Sequence, residues 1–189
     1  MALLVTDSPE GELEPRAVLG VGVVLYCVLA VTALLWLWAR DRLEALPLAA
    51  IGRHGPWLAA AVGLAVGWLG ALVVAFMTTH MQKLREHETM TRRVFGCMGE
   101  VSAVAFVLVA AVAEELFFRL AVQDSFGLAG SVAVYVVLNI SIGGLWWLPI
   151  TLLHALALGL IVQQGFGLLG SATANAILNH LSLRRMQCT

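Results

Sequence analysis

The chain has 189 residues, 60% of them hydrophobic and 12% charged, with a formal net charge of -1 and a mean hydropathy of +0.90. Soluble domains carry about twice that share of charge, so a soluble globular enzyme is excluded, and the balanced charge gives no footprint for a nucleic-acid partner. Its three cysteines, Cys27, Cys97 and Cys188, are far apart and form no CxxC pair, which argues against a disulfide framework and a thiolate metal site.

Residues 1–16 form an acidic tail with Asp7, Glu10, Glu12 and Glu14 and no basic residue before Arg16. A signal peptide needs a positive n-region, so the first apolar segment is expected to stay as an anchor. Crossing roughly 30 Å of hydrocarbon takes about 20 apolar residues. Residues 17–39 and 57–77 meet that length without a charge, the second starting just after Gly55-Pro56, where a proline suits the first helical turn. Four further segments follow at about 101–122, 128–148, 150–161 and 171–183, with Gly143-Gly144, Pro149 and the Gly165/Gly167/Gly170 cluster as breaks. The expected fold is an all-α, polytopic transmembrane bundle of about six helices in a single domain, 17–183, followed by a short tail, 184–189. Ala59, Gly63, Gly67 and Ala71 recur every four residues in the second segment, a stripe that lets a neighbouring backbone approach closely.

Basic residues in short loops set the orientation. With both termini cytoplasmic, Arg16, Lys83, Arg85, Arg92, Arg93, Arg184 and Arg185 lie inside, against Arg40, Arg42 and Arg53 outside. Cys188 stands second from the end, which is not the position of a prenylated cysteine. Gly165-Phe166-Gly167-Leu168-Leu169-Gly170 is a literal GxGxxG, but it lies between membrane segments rather than in a βαβ unit and reads as a helix break. His87-Glu88 begins an HExxH run without its second histidine. His54, His80 and His87 read as solvated loop residues.

The informative residues lie inside the apolar segments. A charge at the bilayer centre costs at least about 2.5–3.5 kcal/mol, and the third segment holds three: Glu114, Glu115 and Arg119. Glu115 and Arg119 stand one helical turn apart and can neutralise each other. Glu114 points about 100° away and is left as a candidate proton carrier. The later segments add His154 and His180 together with Asn139, Asn175 and Asn179. A carboxylate and an imidazole on one cavity can move a proton from water to a leaving amine, and amides can donate to a developing oxyanion.

Ala113-Glu114-Glu115-Leu116-Phe117-Phe118-Arg119 resembles the EExxxR motif of the CAAX-protease and bacteriocin-processing (CPBP, or Abi) intramembrane endopeptidases, and the resemblance extends over about residues 101–183. In that family EExxxR is followed by FxxxH and then by HxxxN or HxxxD. The best spacing sets Tyr135-Val136-Val137-Leu138-Asn139 opposite FxxxH, with asparagine for histidine, and His180 opposite the last histidine, with Arg184 where Asn or Asp is usual. His154 lies outside that register and joins the site only if the break at 143–149 folds its helix back. The resemblance implies a glutamate-type endopeptidase with Glu114, Glu115 and His180 as catalytic residues, assisted by His154 and Asn139, and with Arg119 as the structural partner of Glu115. No metal and no cofactor is expected. The implied substrate is a membrane-associated peptide or protein, in a multi-pass protein of a bacterial-type inner membrane. The alternative is a catalytically degenerate member that binds a membrane peptide or a partner protein.

Overall fold

The computed structural model describes residues 15–95 and 98–186. The acidic tail through Glu14, Cys97 and Cys188 lie outside the described residues. The chain forms helices α1 (Pro15–Ala39), α2 (Leu46–Ile51), α3 (Pro56–His80), α4 (Gln82–Phe95), α5 (Glu100–Glu115), α6 (Asp124–Gly143), α7 (Leu148–Gln163) and α8 (Gly167–Met186), and α5 runs into α6 through a π-helical segment, Leu116–Gln123. No strand occurs among the described residues, so the all-α reading holds.

Among the described residues, four helical runs are long and apolar enough to cross a membrane: Leu19–Ala39, Pro56–His80, Glu100–Ser141 and Leu145–Gln163. The outward faces agree with a lipid surround, because Val24, Leu35, Trp38, Trp57, Trp68 and Phe76 are all more than half exposed. Such a continuous apolar surface marks an interaction site or a lipid contact rather than a water-facing wall. The third run has 42 residues, about 63 Å if straight and twice the hydrocarbon thickness. It is not straight. Gly127 has φ 71° and ψ -178°, a backbone region that favours glycine, and the chain folds back there. Ser131 Oγ donates to the Phe118 carbonyl at 2.8 Å, and the Phe118 and Tyr135 rings meet edge-to-face at 4.8 Å. The two segments expected at 101–122 and 128–148 are therefore the two arms of one kinked helical hairpin.

The last expected segment is α8, which is less apolar than the four runs and lies within the bundle, packed on α3, α5, α7, α2 and α4. Its largest contact is with α3, through the glycine stripe. Ala59, Gly63 and Gly67 are buried, and Gly70 extends the stripe, where a Cβ would lie 2.6 Å from Leu178 Cδ1. A Cβ on Gly67 would stand 2.6 Å from the Ala174 carbonyl oxygen and 2.9 Å from Ile177 Cβ. Backbone cannot rotate away as a side chain can, so Gly67→Leu should destabilise by at least the roughly 1–3 kcal/mol typical of overpacking. A lowered thermal midpoint in detergent is the expected readout. Gly20→Leu, where nothing lies within 4 Å, should leave the midpoint unchanged.

One loop expectation changes. The stretch after the second apolar segment is helical: His80 ends α3 and His87 falls within α4. Leu84 is fully buried, and Glu88, Thr91 and Phe95 line a cavity, so the four share one face at intervals of four, three and four residues. Two of those inward residues are polar, which hides the period. The glycine break holds as expected, with Gly165 at φ 89° and Gly167 at φ 68° turning α7 into α8.

Candidate active site

The end of α5 carries the two glutamates into the middle of the bundle. Glu115 and Arg119 are almost completely buried, their side chains 1% and 0% exposed, with Arg119 Nε 3.4 Å from Glu115 Oε2. Arg119 Nη1 donates to Ser131 Oγ at 2.9 Å, and the guanidinium lies 5.5 Å from the centre of the buried Tyr135 ring, within cation–π range. The ion pair expected from the spacing is present, and the fold-back of α6 supplies its other partners. The π turn begins directly after Glu115, a helix defect frequent at functional sites. Its last residue, Gln123, donates to the Gly159 carbonyl at 3.0 Å and so ties the segment to α7.

Glu114 stands outside that pair and lines a cavity of about 420 Å³ together with His154, Asn139, Tyr135 and Asn179. The buried Asn175 of α8 is a hydrogen-bond donor to it. Asn175 Nδ2 donates to Glu114 Oε2 at 2.9 Å and to Glu115 Oε1 at 3.3 Å. On its other side, Asn175 Oδ1 accepts from Asn179 Nδ2 at 2.9 Å and meets His154 Nε2 at 3.3 Å. The amide thus uses two N–H donors and two lone pairs, its full capacity. The two carboxylates fix which end of the amide faces them. Asn175 Oδ1 can then only accept, so His154 Nε2 donates, and in the neutral tautomer that fits this bond Nδ1 is the nitrogen without a proton.

The structure thus brings Glu114, Glu115, Arg119 and His154 together, with Asn139 on the same cavity wall. Asn139 turns its amide back to the Tyr135 carbonyl of its own helix at 2.9 Å. His180, expected on this cavity, is not among the residues that line it. The reason is helical phase. Asn175 and Asn179 face the glutamates, and His180 projects about 100° from Asn179 and about 140° from Asn175. Arg184, expected at the last motif position, sits at the surface 3.8 Å from Glu100. The pattern reading left Asn175 without a specific role, although Asn175 and Asn179 at i, i+4 in an apolar segment were a signal. It passed over Tyr26, which lines the cavity from α1 and has nothing in its local sequence to mark it.

Among the described residues no three His, Cys, Asp or Glu side chains converge on a metal-binding arrangement. The polar cluster can hold a water or a peptide group between a carboxylate, an imidazole and amide donors, inside a membrane-embedded wall. Comparison with protein-family models, curated proteins and solved structures finds no match to this chain.

Proposed function

We propose that the chain is a glutamate-type intramembrane endopeptidase resembling the CPBP proteases. Glu114 takes a proton from a water molecule as the water oxygen attacks a peptide carbonyl. That proton is delivered to the leaving amine as the C–N bond breaks. The observation that supports this best is the setting of Glu114: a carboxylate within a membrane bundle, on a cavity wall, outside the neutralising Glu115–Arg119 pair and beside an imidazole bonded to the same amide. His154 Nδ1 is then free to accept a proton during collapse of the intermediate, and the second N–H of Asn179, which lines the cavity, is the amide donor for the oxyanion.

The residues gathered around Glu114 also keep the family's intervals. Ile150-Thr151-Leu152-Leu153-His154 has the spacing of FxxxH with isoleucine first, and Asn175-Ala176-Ile177-Leu178-Asn179 has that of HxxxN with asparagine first. We place the second and third motifs there. The cavity extends to α4 and the end of α8, where Glu88 and Arg185 pair at 3.0 Å. That is the end rich in basic residues, so the positive-inside rule assigns it to the cytoplasm of a bacterial-type inner membrane. The substrate is a membrane-associated peptide or protein.

The test is cleavage of a quenched fluorogenic peptide with an apolar segment by the full chain in phosphatidylcholine vesicles. His154→Ala should lose about 100-fold or more, the lower range for removal of an acid–base group. Asn139→Ala should lose less than about tenfold, because its amide is spent on its own helix. Equal losses in the two variants would contradict the assignment of His154. One observation favours a second reading. Asn175 stands where the family has a histidine and cannot take up a proton, which suits a non-catalytic member that holds a peptide. Retention of the probe by the vesicles without cleavage would assign that reading.

A further inference from the structure

We propose that Tyr26, on α1 and far from the EExxxR turn in sequence, is a positioning residue that holds the Glu114 carboxyl in one orientation. α1 is the least buried of the apolar runs, with only 6% of its most apolar 18-residue stretch buried, yet Tyr26 lines the same cavity as Glu114 and His154. Its hydroxyl reaches Glu114. A phenol O–H inside a membrane bundle needs a partner, and Glu114 has an oxygen to offer beyond the Oε2 that accepts from Asn175.

The approach is built into both helices. The Tyr26 ring meets Phe106 edge-to-face, centres 5.6 Å apart at 70°. Phe106 fits against the bare backbone of Gly22, where a Cβ would stand 2.8 Å from the ring. Gly22 and Tyr26 lie one turn apart on α1, and Phe106, Ala110 and Glu114 lie on successive turns of α5. The small side chain of Ala110, also on the cavity wall, leaves the space through which the phenol reaches. Donors from α1 and α8 then hold one carboxylate between them, and that carboxylate's remaining lone pairs face the cavity.

The consequence for catalysis rests on the endopeptidase reading, but the contact itself can be measured without it. In the full chain in phosphatidylcholine nanodiscs, pH-difference infrared spectra should contain a carboxyl band that Glu114→Gln removes. Tyr26→Phe takes away one hydroxyl and keeps the ring on Phe106. It should shift that band, leave the thermal midpoint nearly unchanged, and lower kcat for the fluorogenic peptide with KM unaltered. As a second measurement in a chain that keeps the tyrosine, ring-deuterated tyrosine should show a phenol band that moves in Glu114→Gln. An unmoved Glu114 band in Tyr26→Phe, or an unmoved phenol band in Glu114→Gln, would overturn the proposal whatever the peptide assay gives. Shifted bands in a protein that cleaves no probe would support the positioning role and remove the endopeptidase reading.

Discussion

Arg119→Ala should leave little folded protein in membranes and lower the thermal midpoint of what remains more than any other single change in the site. Arg119 and Glu115 are both almost wholly buried, and removing one member of such a pair typically costs about 3–5 kcal/mol because the other charge is stranded. Here the loss is compounded. Ser131 loses the donor that reaches it across the hairpin, and Tyr135 loses the cation beside its ring. Arg119→Lys keeps the charge but has no planar fork to serve Glu115 and Ser131 at once, so it should fall between alanine and the parent. The double variant Glu115→Gln with Arg119→Met removes both charges and should recover much of the level lost by Arg119→Ala, since a buried pair is often replaced by apolar packing at small cost. Membrane yield by immunoblot and unfolding in detergent are the measurements. Wild-type yield for Arg119→Ala would mean that Glu115 is neutralised by some other group.

The parts of this molecule legible in sequence are those governed by contacts within one helix or by bulk composition. The apolar runs announced a membrane bundle, the four-residue interval put Glu115 beside Arg119, and the small residues of the second segment foretold a close helix contact. Which helix would fill that stripe was not legible, because α3 and α8 are brought together only by the whole fold. The same holds for the site. Asn175 becomes the centre of the polar cluster through the rotation of α8 about its axis, and a shift of one residue in that phase is what excludes His180. Motif spacing set His180 opposite the last histidine, and local sequence had no means of showing that Asn175 and Asn179 face the cavity instead. α4 was hidden because its inward face is half polar, its Glu88 serving the Arg185 pair rather than the solvent. Tyr26 was hidden for a simpler reason: a lone tyrosine in an apolar helix looks the same whether it faces lipid or a carboxylate.

A fixed polar centre within a lipid-facing shell also explains how so apolar a chain carries reactive groups. The α3–α8 contact brings backbones close enough to lock α8, and α8 carries the amide that bridges the two carboxylates. Gly67 meets α8 at Ala174, the residue next to Asn175, so strain there should reach the site directly, and a destabilised Gly67 variant is expected to lose cleavage before it unfolds completely.

Glu114→Gln, by contrast, should keep the protein and lose the chemistry. The substitution preserves shape and leaves a carbonyl oxygen where Oε2 accepts from Asn175 at 2.9 Å, so the bridging amide keeps its donor contact on that side. The new amide N–H groups face a cavity that contains the Tyr26 hydroxyl and His154 Nδ1 as acceptors. Glu115 still balances Arg119. Membrane yield and thermal midpoint should accordingly stay close to the parent. An amide neither gains nor loses a proton near neutral pH, so it cannot activate water, and loss of a general acid–base group usually costs about 10²–10⁴ in rate. Because Glu114 is proposed to act at both proton transfers, the upper part of that range is expected, with the fluorogenic peptide still bound at unchanged KM. Glu114→Asp keeps the acid one methylene short of Asn175 and should recover part of the rate. A Glu114→Gln variant that cleaves at the parental rate would eliminate the glutamate mechanism, and one that disappears from the membrane as Arg119→Ala does would make Glu114 a structural residue.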